Sequence, residues 1–205
     1  MNVVFLDIDG VLNSSDSVLA KIGLTVMSDA QRFALAGLST RLKDEHADLP
    51  YGAKFALLTA DPTCVGLFNR LLRETDAKII LSSTHRSNFT RSADGGMGFG
   101  SVEHMHYLSI FLTAMGVEVN DRLIGLTTQY SGAMRGYEIE QYLDEHPEIE
   151  EYIILDDGKD FYGHQTLIWC DPHKGLSREE FMAGCLALGS KQGMIITLEE
   201  DHQTQ

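Results

Sequence analysis

Basic residues are scarce in this chain. Sixteen Lys and Arg stand against 30 Asp and Glu, for a formal net charge of −14. Neutralising the phosphates of an extended nucleic-acid duplex takes clustered Lys and Arg. The composition therefore argues against extended duplex binding, while leaving room for a local basic pocket and favouring solubility. Cysteine is also scarce. Cys64, Cys170 and Cys185 are odd in number and lack a CxxC spacing, so neither a disulfide framework nor a zinc site is indicated. Cys64 and Cys185 fall on apolar helix faces and read as core thiols. A reducing, cytoplasmic setting is the expectation. There are only four prolines, and no internal repeat or low-complexity segment. No apolar run approaches the roughly 20 residues of a membrane span. No basic leader precedes the first apolar run, so that run reads as a strand and not a signal peptide. No membrane partner is expected.

What is present is ordinary globular material. Across 205 residues, 43% are hydrophobic and 22% charged, enough for one sizeable domain with a buried core. Short β-branched apolar runs at 3–6, 78–81, 123–126, 152–155 and 167–169 read as buried strands. Helical spacing lies between them. A capping-box pattern from Ser28 opens a helix to about residue 48. Asp61-Pro62 is an N-cap and N1 pair for a helix ending near Glu74. Further helices are expected over 103–115, with Gly116 just past the end, over 135–146, and from the capping box at Ser177 to about Leu188. Residues 94–101, with four glycines, read as a loop, and 195–198 as a short edge strand. Strands that alternate with helices predict an α/β fold with a central parallel sheet covered on both faces.

In such sheets, ligands bind beyond the carboxyl ends of the strands. Three of these ends carry reactive groups. Asp7 and Asp9, two apart on an extended chain, point the same way, and Gly10 permits a tight turn beside an anion. Ser82 and Ser83 end the second strand. Asp156 and Asp157 end the fourth, where one carboxylate can meet Asp7 around a hard cation. Oxygen-only ligands with room for water suit Mg²⁺. Each pair alone is an unremarkable turn; their order and their common place at strand ends carry the weight.

Phe5-Leu6-Asp7-Ile8-Asp9-Gly10-Val11-Leu12-Asn13 resembles the first motif of the haloacid dehalogenase-like (HAD) superfamily. Ile79-Ile80-Leu81-Ser82-Ser83 is similar to its second motif. Arg135, opening a helix as Arg-Gly-Tyr-Glu-Ile, fits the basic third, and Ile153-Ile154-Leu155-Asp156-Asp157 fits the acidic fourth. The likeness is strongest to the small HAD domains associated with RNA-repair proteins and to stand-alone phage and bacterial phosphatases. These share the Leu-Ser-Ser-x-x-Arg run from Leu81 to Arg86 and a late Asp-Pro-x-x-Gly-Leu from Asp171 to Leu176. The resemblance spans about residues 1–180.

That resemblance implies a three-layer Rossmann-like fold, with a small helical cap inserted at about 14–54. It implies a Mg²⁺-dependent phosphatase in which Asp7 is the nucleophile and Asp9 the proton donor and acceptor. The metal would be held by Asp7, the Asp9 carbonyl and Asp156, with Asp157 nearby. Ser82, Ser83 and the backbone at Ile8, Asp9 and Gly10 would hold phosphoryl oxygens, and Arg135 would balance their charge. Asp9 favours phosphoester hydrolysis over the dehalogenase reaction, which lacks that residue. Arg86 is a second candidate for substrate phosphate, and His85, inside the same run, for substrate contact. Lys159 is the fallback for Arg135. A nucleotide or the 3′-phosphate end of a nucleic acid is the expected partner. A phosphotransferase and a non-catalytic phosphate-binding module are the alternatives, the latter disfavoured by the presence of all four motifs.

Overall fold

The computed structural model describes residues 1–22, 56–57, 59–87 and 99–190. Each of the five apolar runs forms a strand: β1 (Asn2–Leu6), β2 (Lys78–Leu81), β3 (Leu123–Leu126), β4 (Glu151–Asp156) and β5 (Leu167–Trp169). All pairings are parallel, in the order β3-β2-β1-β4-β5. The chain winds outward from β1 through β2 to β3, then crosses to the other side of β1 for β4 and β5. The reversal falls between β1 and β4, which is the topological switch point where doubly wound sheets open a crevice.

Five α-helices are described: α1 (Ser15–Ile22), α2 (Pro62–Thr75), α3 (Val102–Ala114), α4 (Arg135–Glu145) and α5 (Arg178–Ala187). Alternation along β1 assigns the two faces of the sheet. Val4 and Leu6 join the larger core with Phe68 and Leu72 of α2, Leu108 and Phe111 of α3, and Phe181 and Cys185 of α5. Val3 and Phe5 join the smaller core with Ile139 of α4. There the Phe5 ring meets Tyr142 and Tyr152 edge-on, with centroids 5.8 and 5.7 Å apart. The result is the three-layer α/β arrangement that the strand–helix alternation predicts.

Local chemistry sets the helix ends. The Asp61 carboxylate accepts the Thr63 N–H at 2.8 Å ahead of Pro62. Ser177 and Glu180 form a complete capping box; such caps are each worth about 1 kcal/mol. Helix α3 begins one residue earlier than its periodicity implies, because the Ser101 hydroxyl accepts the His104 N–H and caps it. Gly116, at φ +94°, follows that helix. Helix α1 lies inside the 14–54 segment, for which a helical cap is expected; at its start the Ser14 hydroxyl accepts the Ser17 N–H at 3.0 Å. The helix expected over 28–48, most of the cap segment, most of the glycine loop and the edge strand at 195–198 lie outside the described residues.

All three cysteines are free and buried. Burial pushes the Cys64 thiol up to about 11 and Cys185 to about 12, and raises Cys170 as well. They are protonated core thiols, not nucleophiles. Among the described residues, no helix is long and apolar enough to cross a membrane.

Candidate active site

Register builds the site. Leu6 of β1 lies opposite Leu81 of β2 and Leu155 of β4, so the next residue of each strand emerges at the same level. Backbone bonds carry the pairing one step beyond β1 and β2. The Asp7 N–H donates to the Leu155 carbonyl and the Ser82 N–H to the Leu6 carbonyl, each at 2.9 Å. Asp7, Ser82 and Asp156 thus stand side by side at the carboxyl edge of the three central strands. All three are buried.

The carboxylates of Asp7, Asp156 and Asp157 converge, with one oxygen of each inside 4.8 Å of the others. Burial and then the negative charge of Asp7 push Asp156 up to about 7, against the opposing pull of Arg135 and the Gly158 N–H. The same two causes, in the same order, raise Asp157. Three carboxylates this close, two of them buried, repel one another unless protonated or bridged by a cation. An oxygen-only donor set of this kind fits a hard divalent ion such as Mg²⁺.

Gly10 makes the convergence possible. It sits at φ +72°, and a Cβ there would lie 2.4 Å from Asp157 Oδ2. The Asn13 carboxamide closes the turn by accepting the Gly10 N–H at 2.9 Å. The Ile8 side chain is fully buried, and its carbonyl accepts the Leu12 N–H at 2.9 Å. The contribution expected of Ile8 to phosphate binding therefore falls to its backbone.

Asp9 faces differently from the three converging carboxylates. Its Oδ1 accepts from the Asn13 amide at 2.9 Å, and its Oδ2 lies 3.0 Å from His85 Nε2. Burial alone would raise its pKa. The His85 hydrogen bond and charge, with the Asn13 bond, outweigh burial and hold Asp9 below the usual carboxylate value. Its side chain stays 49% exposed, unlike that of His85 at 7%.

Arg135, the first residue of α4, donates to the Ser82 carbonyl and lies 3.7 Å from Asp7 Oδ1 and 3.5 Å from Asp156 Oδ2. Lys159 instead points its ammonium at the Trp169 ring, 4.5 Å from the centroid. Of the two candidate cations, Arg135 is the one beside Asp7. The Ser82 hydroxyl is buried and has no hydrogen-bond partner among the described residues. Such an orphaned polar atom is costly unless a ligand or water serves it. Ser83 turns inward, accepting the His85 N–H at 3.3 Å.

Arg86, the second candidate for substrate phosphate, is 1% exposed. Its guanidinium donates to the Ser82 and Ser83 carbonyls and to Glu138 on α4. Burial lowers its pKa and Glu138 pulls the other way. Arg86 is thus a buried tie between the end of β2 and α4. Sequence reasoning passed over Glu138, whose other oxygen accepts the Tyr130 N–H at 3.0 Å. It also passed over Asn13 as the partner of Asp9. The signal for Asn13 was its position four residues after Asp9 in a tight turn; Glu138 offered none, being 52 residues from Arg86.

A parallel α/β sheet with paired acidic groups, a serine and an arginine gathered at its carboxyl edge is the architecture of the HAD superfamily. The model of the HAD domain in Swiss Army Knife RNA repair proteins matches residues 3–181, and the chain belongs to that family. A search of curated proteins and a search of solved structures each returned no significant match.

Proposed function

We propose that the protein is a Mg²⁺-dependent phosphomonoester hydrolase working through an aspartyl-phosphate on Asp7. The observation that carries this reading is the convergence of Asp7, Asp156 and Asp157 beside Arg135 and the unpartnered Ser82 hydroxyl. Asp7, Asp156 and the Asp9 carbonyl would hold the ion, with Asp157 adjoining. When bound, it offsets the repulsion between an anionic carboxylate and an anionic phosphate.

The residues then divide the chemistry. An Asp7 oxygen attacks phosphorus as the bond to the leaving oxygen breaks, and the leaving oxygen takes a proton from Asp9. In the second half, the Asp9 carboxylate takes a proton from water. The water oxygen bonds to phosphorus, and Asp7 and inorganic phosphate are released. The Ser82 hydroxyl and the Arg135 guanidinium stabilise charge on the transferring group. Asp9 is held ionised at rest; the negative charge of an arriving phosphoryl group opposes that and draws a proton onto it.

The substrate we infer is a nucleotide or the 3′-phosphate end of a nucleic acid. Membership in a family of RNA-repair domains supports this. A net charge of −14 favours a small molecule or a short end over an extended duplex.

Hydrolysis of an aryl phosphate, measured with Mg²⁺ and with EDTA, tests the reaction. Turnover should need the metal and vanish in Asp7→Asn; an equally active Asp7→Asn would overturn the mechanism. Nucleoside monophosphates assayed beside 3′-phosphorylated oligonucleotides test the substrate. Turnover of sugar phosphates alone would remove the nucleotide reading.

A further inference from the structure

The 3₁₀ turn Thr84–Ser87 follows β2 directly. Its two central side chains do different work. Arg86 runs inward to Glu138, while His85 reaches across to the acid that follows β1, 76 residues earlier in the chain. We propose that His85 is a positioning residue for proton transfer, holding Asp9 so that its Oδ2 is the oxygen that serves the leaving group. The proposal rests on the phosphatase reading above and assigns a residue to one step of it.

The geometry separates the two oxygens of Asp9. Oδ1 is tied to Asn13, within the same turn. The Asn13 amide also donates to the Thr59 hydroxyl at 2.9 Å, and its carbonyl oxygen holds the Gly10 N–H. Oδ1 is therefore locked to local backbone. Among the described residues, Oδ2 has a single hydrogen bond, to His85 Nε2 at 3.0 Å. A carboxylate only accepts, so Nε2 carries the hydrogen in that bond. An ionised carboxylate oxygen has a second lone pair, and the Asp9 side chain, 49% exposed, is not closed off by burial.

His85 itself is well placed to act as a fixed support. It is buried, its backbone N–H donates to Ser83 Oγ at 3.3 Å, and its ring centroid lies 5.8 Å from that of Phe111 on α3. A short side chain gripped at both oxygens cannot drift from the line of proton transfer. A misplacement of about 1 Å at such a point can cost on the order of 100-fold in rate.

Dependence on the leaving group tests this. An alkoxide must be protonated as it departs, whereas 2,4-dinitrophenolate departs without help. The parameter kcat/KM reports transfer to Asp7 alone. In His85→Ala it should fall by about 10- to 100-fold for a nucleoside 3′-monophosphate and by less than about threefold for 2,4-dinitrophenyl phosphate. His85→Gln places an amide donor near the position of Nε2 and should recover most of the loss. His85→Asn, whose donor is one bond short, should not. Equal losses on both substrates, or no loss on either, overturn the proposal. A crystal structure of His85→Gln with Asp9 turned away from the Gln amide and activity intact would do the same. If the wild type hydrolyses neither substrate with Mg²⁺, the phosphatase reading falls and this proposal with it. An active wild type without leaving-group discrimination among the variants removes this proposal alone.

Discussion

Replacing Asp156 with Asn should stabilise the metal-free protein, and more strongly as pH rises. Asp156 is 3% exposed and beside Asp7, and its carboxyl is raised from an ordinary 3.8 to about 7. Between those values the folded protein keeps a proton that the unfolded chain has released. Stability therefore falls with rising pH by up to ~1.4 kcal/mol per unit, being fully present below about pH 4 and lost as pH passes through 7. Over roughly three units the loss is about 4 kcal/mol as an upper bound. Asn keeps the carbonyl oxygen that accepts the Gly158 N–H at 2.7 Å, but gives up the attraction of Arg135 at 3.5 Å. We therefore expect the advantage of Asp156→Asn over wild type to grow by about 2–4 kcal/mol between pH 4 and pH 8 and to level above that. Urea unfolding of both proteins in EDTA across this range measures the difference, in which the titrating groups away from this cluster cancel. Saturating Mg²⁺ should narrow the gap. Wild type should gain about 3 kcal/mol at a hundredfold excess over Kd, and Asp156→Asn almost none. A gap that is flat with pH, or that narrows as pH rises, would refute the reasoning.

Other substitutions probe the remaining parts of the site. Arg135→Ala should lower kcat/KM on an aryl phosphate by about 100- to 1,000-fold, whereas Lys159→Ala should change it by less than about threefold. Comparable losses in both would return Lys159 to the site. Glu138→Gln leaves the buried Arg86 charge without its counter-ion and should cost about 3–5 kcal/mol in urea unfolding. The double variant Arg86→Met/Glu138→Leu should recover most of that stability. Gly10→Ala places a methyl group against Asp157 and strains a positive φ. It should lower the melting temperature by several degrees and reduce the stabilisation by added Mg²⁺, both read by calorimetry.

The central strands were readable from the sequence because a parallel sheet buried on both faces needs continuous apolar runs. Val3-Val4-Phe5-Leu6 and Ile153-Ile154-Leu155 have no other economical place in a fold of this size. Once these were strands, Asp7, Ser82 and Asp156 were residues at strand ends, and the parallel sheet implied that those ends share one edge. The partners reached across the sheet were hidden. His85 meets Asp9 from 76 residues away, and Arg86 meets Glu138 from 52. Nothing in local periodicity encodes which partner each of two buried neighbours in a 3₁₀ turn will meet. An arginine after a serine pair reads as a phosphate contact by chemistry alone; its burial and its bond to Glu138 are visible only in the fold.

The chain contains a single tryptophan, Trp169 at the end of β5. Its indole N–H donates to the Asp157 carbonyl at 2.8 Å, and the Lys159 ammonium sits over its ring. The residue that adjoins the three-carboxylate cluster is therefore bonded directly to the one strong fluorophore of the molecule. A cation drawing the Asp157 carboxylate toward Asp7 would tug on that peptide and change the field at the indole. Emission from this one ring offers a built-in titration signal for cation binding, without a label and without turnover.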